Sequence, residues 1–391
     1  MQLPEKNSCC GCSACASVCP SHAICMATDP EGFLVRSLDS KKCVGCGLCT
    51  EVCPVLGSAT PRNPVSVFAV KAKDERVREG SASGGVFTLL AHEVLKGGGI
   101  VFGAGFESGS WRVVHKHASC LGELENLRGS KYVQSDAGDT FVAAKRDLEE
   151  GKRVLYSGTP CQIAGLRRFL GRDYDGLLTV EVICHGVPSP LVWKEYVRWM
   201  ETDAKSRICA IYSRRYHSWR KFAVTVEYER ASGRLETREM YDDPFLSSFL
   251  HDWIVRKGCY QCPFRGLRSG SDLTIGDFWG VENVSPGWED EKGLSVVLAN
   301  TEKGRSQIGE LSTAFKFPIT MADACVGNNR APLIGNCRRS FFRPLFMWSV
   351  RVFGFRKTYR VFSACYRMID SMHHVSWWIK RLIINGEINR F

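Results

Sequence analysis

The sequence predicts an α/β protein in three parts: a small N-terminal domain ordered by cysteines, a body built on a mixed β-sheet, and a basic helical tail. Three observations predict it. One cysteine spacing occurs twice before residue 55, apolar strand and helix patterns alternate from residue 65 onward, and residues 338–391 hold eleven Lys/Arg against only Asp370 and Glu387. The 391 residues are 44% hydrophobic and 24% charged, enough for two or three domains with a substantial core.

The repeated run is Cys9, Cys12, Cys15, Cys19, Pro20 and then Cys43, Cys46, Cys49, Cys53, Pro54, each C-x2-C-x2-C-x3-C-P. In bacterial-type ferredoxins the fourth cysteine of such a run ligates the other cluster. A two-cluster [4Fe-4S] domain is therefore expected over residues 1–57, with Cys9, Cys12, Cys15 and Cys53 on one cluster and Cys43, Cys46, Cys49 and Cys19 on the other. Gly11, Ser13, Ala14, Gly45 and Gly47 let the loops turn tightly enough to wrap a cubane. Zinc would close its tetrahedron with two pairs and leave a third close cysteine without a role. Cys10 and Cys25 fall outside the pattern.

Nineteen cysteines in a short chain would suggest secretion, but the start MQLPEKNSCCGC has no apolar signal core. A cytoplasmic, reducing setting is expected. The formal charge of +11 is concentrated in the tail, and each cluster with its four thiolates adds about −2 to the remainder. Nucleic-acid binding is accordingly not expected.

Gly57 to Pro64 is a polar, turn-rich joint, and the body is expected over 65–335. Strands are expected at 65–71, 100–106, 112–117, 153–157 and 177–184, with helices at 85–96, 140–150, 161–170 and 191–202. Three consecutive strands at 208–214, 222–229 and 235–241 resemble an antiparallel insertion. A helix at 244–255, strands at 273–278 and 294–300 and a helix at 302–312 complete a partly parallel sheet.

A second set of cysteines lies where α/β proteins place chemistry. The strand at 153–157 runs into Gly158-Thr159-Pro160-Cys161-Gln162, in which Thr159 suits the N-cap, Pro160 the first helical position and Gln162 the third position of a capping box. Cys161 would then sit at a helix N-terminus, which lowers a thiol pKa. Cys184 follows another apolar strand, and Cys259-x-x-Cys262 supplies a pair at metal-ligand spacing. Together the four can hold a third [4Fe-4S] cluster, a zinc ion, or act as a redox thiol pair.

Clusters move single electrons, so a two-electron cofactor is expected beside them, with flavin the natural converter. No G-x-G-x-x-G stands behind a strand. Ser81-Ala82-Ser83-Gly84-Gly85, at the start of a helix, is a better phosphate cradle, although an ordinary serine N-cap would look the same.

Five segments carry a resemblance: SASGGVFTLLA at 81–91, GSKYVQS at 129–135, SGTPCQIAGLRRFL at 157–170, CHGVPSP at 184–190 and CYQCPFRGLRSGSDLTIGDFWG at 259–280. With them the chain resembles the coenzyme F420 hydrogenase/dehydrogenase beta-subunit family, in which a leading double ferredoxin is a known arrangement. The resemblance implies a mixed-sheet α/β, FAD-binding body and a third cluster on Cys161, Cys184, Cys259 and Cys262. It implies Ser81, Ser83, Gly84, Gly85, Lys131, Tyr132, Thr159, Gln162 and Asp277 as flavin neighbours. His185 is the titratable group of that set able to exchange a proton near neutral pH. Substrate does not carry over, because the family serves several chemistries.

In the tail, Leu345, Trp348, Val352, Phe355, Tyr359, Phe362, Tyr366 and Ile369 recur in steps of three and four as one apolar helical stripe. Trp377, Trp378, Leu382, Ile383 and Ile384 extend it. Such a stripe over 338–391 packs on the body or on a partner subunit, or else rests on the inner face of a membrane. The function expected is an iron–sulfur flavoprotein oxidoreductase. It would pass electrons between a ferredoxin-like partner, its clusters and FAD, for two-electron chemistry on a small-molecule substrate or hydride carrier. Alternatives are an electron-relay subunit docked on a separate catalytic protein, and a cluster-linked thiol reductase.

Overall fold

A computed structural model describes residues 3–57, 60–214, 222–229, 235–240, 242–330, 333 and 339–371. The N-terminal domain contains α1 (Ala14–Ser17), the antiparallel hairpin β1 (Ile24–Thr28) and β2 (Leu34–Leu38), and α2 (Leu48–Glu51). Each short helix is entered from a left-handed residue, Ser13 at φ 71° and Gly47 at φ 81°, so the two cysteine loops turn alike.

The body follows in the order β3 (Ser66–Ala72), α3 (Glu75–Glu79), α4 (Val86–Lys96), β4 (Ile100–Phe106), β5 (Val113–Ala118), α5 (Leu121–Leu124), α6 (Thr140–Glu149), β6 (Val154–Gly158), α7 (Pro160–Leu170), β7 (Leu177–Val182) and α8 (Pro190–Ala204). After these come β8 (Ile208–Ser213), β9 (Ala223–Tyr228), β10 (Leu235–Glu239), α9 (Pro244–Leu250), β11 (Leu273–Asp277), α10 (Val281–Val284), β12 (Ser295–Ala299), α11 (Glu302–Glu310), β13 (Ala314–Ile319) and α12 (Met321–Ala324). Eight strands form one mixed sheet in the order β13-β3-β12-β11-β7-β6-β4-β5. Its centre, β11-β7-β6-β4, is parallel, and the flanking pairs are antiparallel.

Helices cover both faces. Leu90 and Val94 of α4 and Ile308 of α11 pack on Val101, Leu155 and Val180. On the other face, Phe141 of α6 and Ile163 and Leu166 of α7 pack on Phe102, Tyr156 and Leu177, and Cys12, Ala14 and Val52 of the N-terminal domain join this core. The approach is close at Gly165, where an added Cβ would lie 2.9 Å from both Cβ and Sγ of Cys12. The expected insertion is the antiparallel sheet β10-β9-β8, which shares an aromatic core with α8, α9 and the tail.

Three expectations change in the body. Strand β7 stops at Val182, which leaves Cys184 in a loop. The helix at 244 ends at Leu250 instead of 255, because Asp252 adopts φ 58° and Val255 bridges to Pro188. Strand β13, with Pro318, is an unforeseen edge strand, where a missing N–H does least harm.

The tail is two helices, α13 (Arg343–Phe353) and α14 (Phe355–Ser371), separated at Gly354 with φ 79° and ψ 159°. That break divides the expected stripe: Phe355, Tyr359, Phe362 and Tyr366 pack on the aromatic core, whereas Leu345, Trp348 and Val352 face outward. Cys337, Trp377, Trp378, Leu382, Ile383 and Ile384 lie outside the described residues.

Two buried guanidinium groups join the parts. Arg256 donates to the carbonyls of Cys9 (Nε, 3.0 Å) and Leu34 (Nη2, 2.9 Å). Arg343, at the start of α13, donates to the carbonyl of Val255 at 2.7 Å and pairs with Glu31 of the N-terminal hairpin, which Lys257 also approaches at 3.3 Å. Removing one partner from a buried ion pair strands the other. Arg343→Ala is therefore expected to cost about 3 kcal/mol, measured as lowered resistance to urea and faster proteolysis of the joint near residue 60.

Candidate functional site

Strands β6, β7 and β11 are parallel and end at one edge of the sheet, with Gly158 and Thr274 both paired to Glu181. In open α/β sheets this carboxyl rim is where ligands bind. The chain leaves the rim through Thr159-Pro160-Cys161, Ile183-Cys184-His185 and Phe278, and α4 begins beside it. Thus the rim gathers the widely separated segments singled out in the sequence.

Cys161, Cys184, Cys259 and Cys262 line one pocket, together with Glu181, Phe264 and Arg265. Among the described residues no three His, Cys, Asp or Glu side chains converge as around a single ion, and the four thiols stand along the pocket walls. All four thiol pKa values are raised. Burial pushes Cys259 up to about 12 and Cys262 up to about 11. Cys184 is raised by burial and then by its three cysteine neighbours. Cys161 is raised first by a hydrogen bond with Cys10 and then by burial, which reverses the lowering expected from its helix N-terminus. Four ionised sulfurs in this pocket therefore need a cationic centre among them, the condition under which thiolates bind metal. The donor set fits a cluster.

The capping box forms as expected and orients Cys161. The Thr159 N–H donates to Oε1 of Gln162 at 3.0 Å, and Thr159 Oγ1 lies 3.2 Å from the Cys161 sulfur. Gln162 Nε2 donates to Ser135 Oγ at 2.9 Å, Ser135 Oγ lies 3.1 Å from Nδ1 of His115, and His115 Nε2 lies 3.0 Å from the Ser157 carbonyl. A carbonyl only accepts, so Nε2 carries the proton and Nδ1 accepts from Ser135. Burial holds this histidine down at about 4. Ser135 closes the GSKYVQS segment, but His115 is hidden in the alternation of a strand.

His185 donates from Nε2 to Asp252 at 2.7 Å, and its ring meets Phe249 edge-on at 5.4 Å. Tyr132 approaches Phe249 at 5.8 Å. Its phenol, raised by burial, and the Asp277 carboxylate both engage Arg214, whose guanidinium lies over the Trp279 ring at 5.1 Å. Tyr132, Asp277 and His185 are thus brought into one neighbourhood by Arg214 and Phe249. Asp252 and Arg214 were missed, and no spacing in the sequence marks either.

The expected phosphate cradle is differently built. Ser81 Oγ donates to the Val77 carbonyl at 2.6 Å, and Ser83 Oγ donates to that of Leu294 at 2.8 Å. The N-cap of α4 is Gly85 at φ 88° instead of a serine. Gly84 is demanded by backbone packing, since a Cβ there would lie 2.2 Å from the Val70 carbonyl oxygen. Lys131 donates to the carbonyls of Arg128 (2.8 Å), Asn126 (3.2 Å) and Gly129 (3.3 Å), and so closes its own loop.

In the N-terminal domain, Cys9, Cys12, Cys49 and Cys53 are buried, Cys15, Cys19 and Cys43 are partly so, and Cys46 is exposed. Burial pushes Cys15 up to about 12, helped by Cys9, Cys53 and Cys49, so Cys53 returns to the first cysteine loop. Cys10 hydrogen-bonds both Cys12 and Cys161 and so stands between that loop and the four-cysteine pocket. Its place outside the spacing gave no hint of this.

Residues 8–56 match the 4Fe-4S dicluster domain, and residues 151–323 match the family described as the C terminus of the coenzyme F420 hydrogenase/dehydrogenase beta subunit. Residues 151–323 thus belong to this beta-subunit family, and residues 8–56 to the dicluster ferredoxin domains. The chain is an iron–sulfur electron-transfer protein of the oxidoreductase type. No curated protein matches the chain. Among solved structures, a chain of the F420-reducing [NiFe] hydrogenase complex from Methanosarcina barkeri, in a xenon-derivatised form, is 18% identical, with a TM-score of 0.45 over 76% of this chain and 92% of that chain.

The His115 network makes stability depend on acid. Its folded pKa lies below the ordinary 6.5, so the unfolded chain takes up a proton first as pH falls. Stability should drop by about 1.4 kcal/mol per pH unit below pH 6.5, levelling near pH 4. Urea midpoints between pH 7 and pH 5 measure it, and His115→Gln should flatten the slope.

Proposed function

We propose that this beta-subunit relative is an iron–sulfur flavoprotein oxidoreductase. Electrons pass between a ferredoxin-like partner, two [4Fe-4S] clusters in the N-terminal domain and a third cluster at the rim. The observation that carries the reading is the single pocket lined by Cys161, Cys184, Cys259 and Cys262, with Cys10 reaching it from the first cysteine loop. Cys9, Cys12, Cys15 and Cys53 hold the inner N-terminal cluster. Cys43, Cys46, Cys49 and Cys19 hold the outer one, whose exposed Cys46 faces the redox partner.

The rim also supports a flavin. Arg214, Tyr132, Asp277 and Trp279 combine an aromatic surface with fixed charge, and the amides at the start of α4 favour a phosphate. FAD bound there converts single-electron traffic into two-electron or hydride chemistry. In this arrangement Tyr132 and Asp277 lie toward the ring, Ser81, Ser83, Gly84 and Gly85 shape the phosphate end, and Lys131, Thr159 and Gln162 hold the intervening loops. His185, held by Asp252, is placed to exchange a proton with a substrate or hydride carrier.

The thiol-reductase reading fares worse. Such an enzyme needs an activated, low-pKa thiol, and all four pocket cysteines are shifted the other way. A relay subunit without its own substrate keeps the same cluster path and differs only in the flavin.

Anaerobic purification with iron, sulfide and flavin quantitation is the test. About twelve irons and one FAD per chain are expected. Cys259→Ser should lower iron to about eight while the N-terminal clusters remain. Eight irons in the unaltered protein would remove the rim cluster, and protein without flavin would leave only the relay. With flavin present, His185→Gln should slow turnover at least tenfold with iron content unchanged.

A further inference from the structure

Helix α13 is apolar on two faces. Phe346, Met347 and Val350 are buried against the body, as helix packing requires. The opposite side exposes Leu345 (55%), Trp348 (52%) and Val352 (54%), continued by Phe341 (72%) before the helix and Phe353 (55%) at its end. The steps from 341 to 345, 348 and 352 are four, three and four, so these side chains form one outward stripe.

The segment that carries the stripe has charges of one sign, and a carboxylate of the body, Glu195, is engaged by the Phe355 N–H where the helix ends. No carboxylate occurs between Arg339 and Ile369. Two cations of this segment are paired, Arg343 in the interior with Glu31 and Arg356 at the surface with Asp203 at 2.8 Å. Arg339, Arg351, Lys357 and Arg360 are exposed. A stripe of Trp, Phe, Leu and Val on a segment whose own exposed charges are all cationic is the complement of an anionic bilayer surface, where tryptophan favours the headgroup level and each basic residue adds attraction.

We propose that the outer face of α13 seats this protein on an anionic lipid surface. The helix lies in the interface and does not cross it. At 11 residues it is about 16 Å long, and among the described residues no helix is long and apolar enough to span. The seating rests on Phe341, Leu345, Trp348 and Val352, while the second half of the tail stripe stays in the body. It is independent of which cofactor the rim holds.

Flotation of the full-length, cluster-loaded protein with phosphatidylcholine vesicles, with and without phosphatidylglycerol, tests it. The protein should float with the anionic vesicles only, and added salt should weaken the association. Leu345→Gln with Trp348→Gln should lower the bound fraction about tenfold at unchanged iron content and urea midpoint, since both residues face outward. Unaltered protein that stays at the bottom of the gradient would overturn the proposal, as would a variant that floats equally well. So would a stable dimer in solution that the same double variant splits, because the stripe would then belong to a second copy.

Discussion

Arg256 is the constraint on which the redox architecture depends. Its guanidinium is buried, lies over the Phe33 ring at 5.3 Å and donates to the backbone carbonyls of Cys9 and Leu34. Three residues later the same segment delivers Cys259, and three further on Cys262. One charged side chain therefore fixes the N-terminal cysteine loop relative to the rim pocket. Gly165 sets the remaining distance by letting Cys12 approach α7 without a side chain between them. The separation of the first cysteine loop from the rim pocket is thus set by buried, directional contacts.

The electrostatics of the pocket follow from burial. Four thiols close to one another and away from water stay protonated on their own, and each resists ionising because its neighbours would become like charges. A cationic cluster reverses that preference. The neighbouring Glu181 follows the same rule, since burial raises its carboxyl to about 7, and Thr274 donates to it at 2.7 Å. Arg265 brings a permanent positive charge to the pocket wall. The site therefore trades its own charge against whatever it holds.

The tail helices belong to the fold as well as to the surface. Phe346, Met347, Val350 and Phe355 complete the aromatic core around Trp193, Tyr196, Phe245 and Trp253. Arg343 ties the same helix to the N-terminal hairpin through Glu31. The segment thus joins the N-terminal hairpin to the aromatic core of the body, and its inner face is spoken for. Its outer stripe has no such role in the fold.

The sequence by itself determined what depends on local spacing. The two cysteine runs, the capping box at Thr159 and Gln162, the alternation of strands and helices and the antiparallel insertion all rest on residues a few positions apart, and the structure follows them to within a few residues. Only the tertiary structure decided what depends on long-range packing. It brought Cys161, Cys184, Cys259 and Cys262 to one pocket, reversed the expected pKa direction of Cys161 by burying it against Cys10, and joined Tyr132 to Asp277 through Arg214. It also committed the Ser81 and Ser83 hydroxyls to backbone carbonyls and divided the tail stripe at Gly354. The reason is common to all of these: burial and charge pairing depend on which distant segments share a volume, and periodicity along the chain carries no record of that.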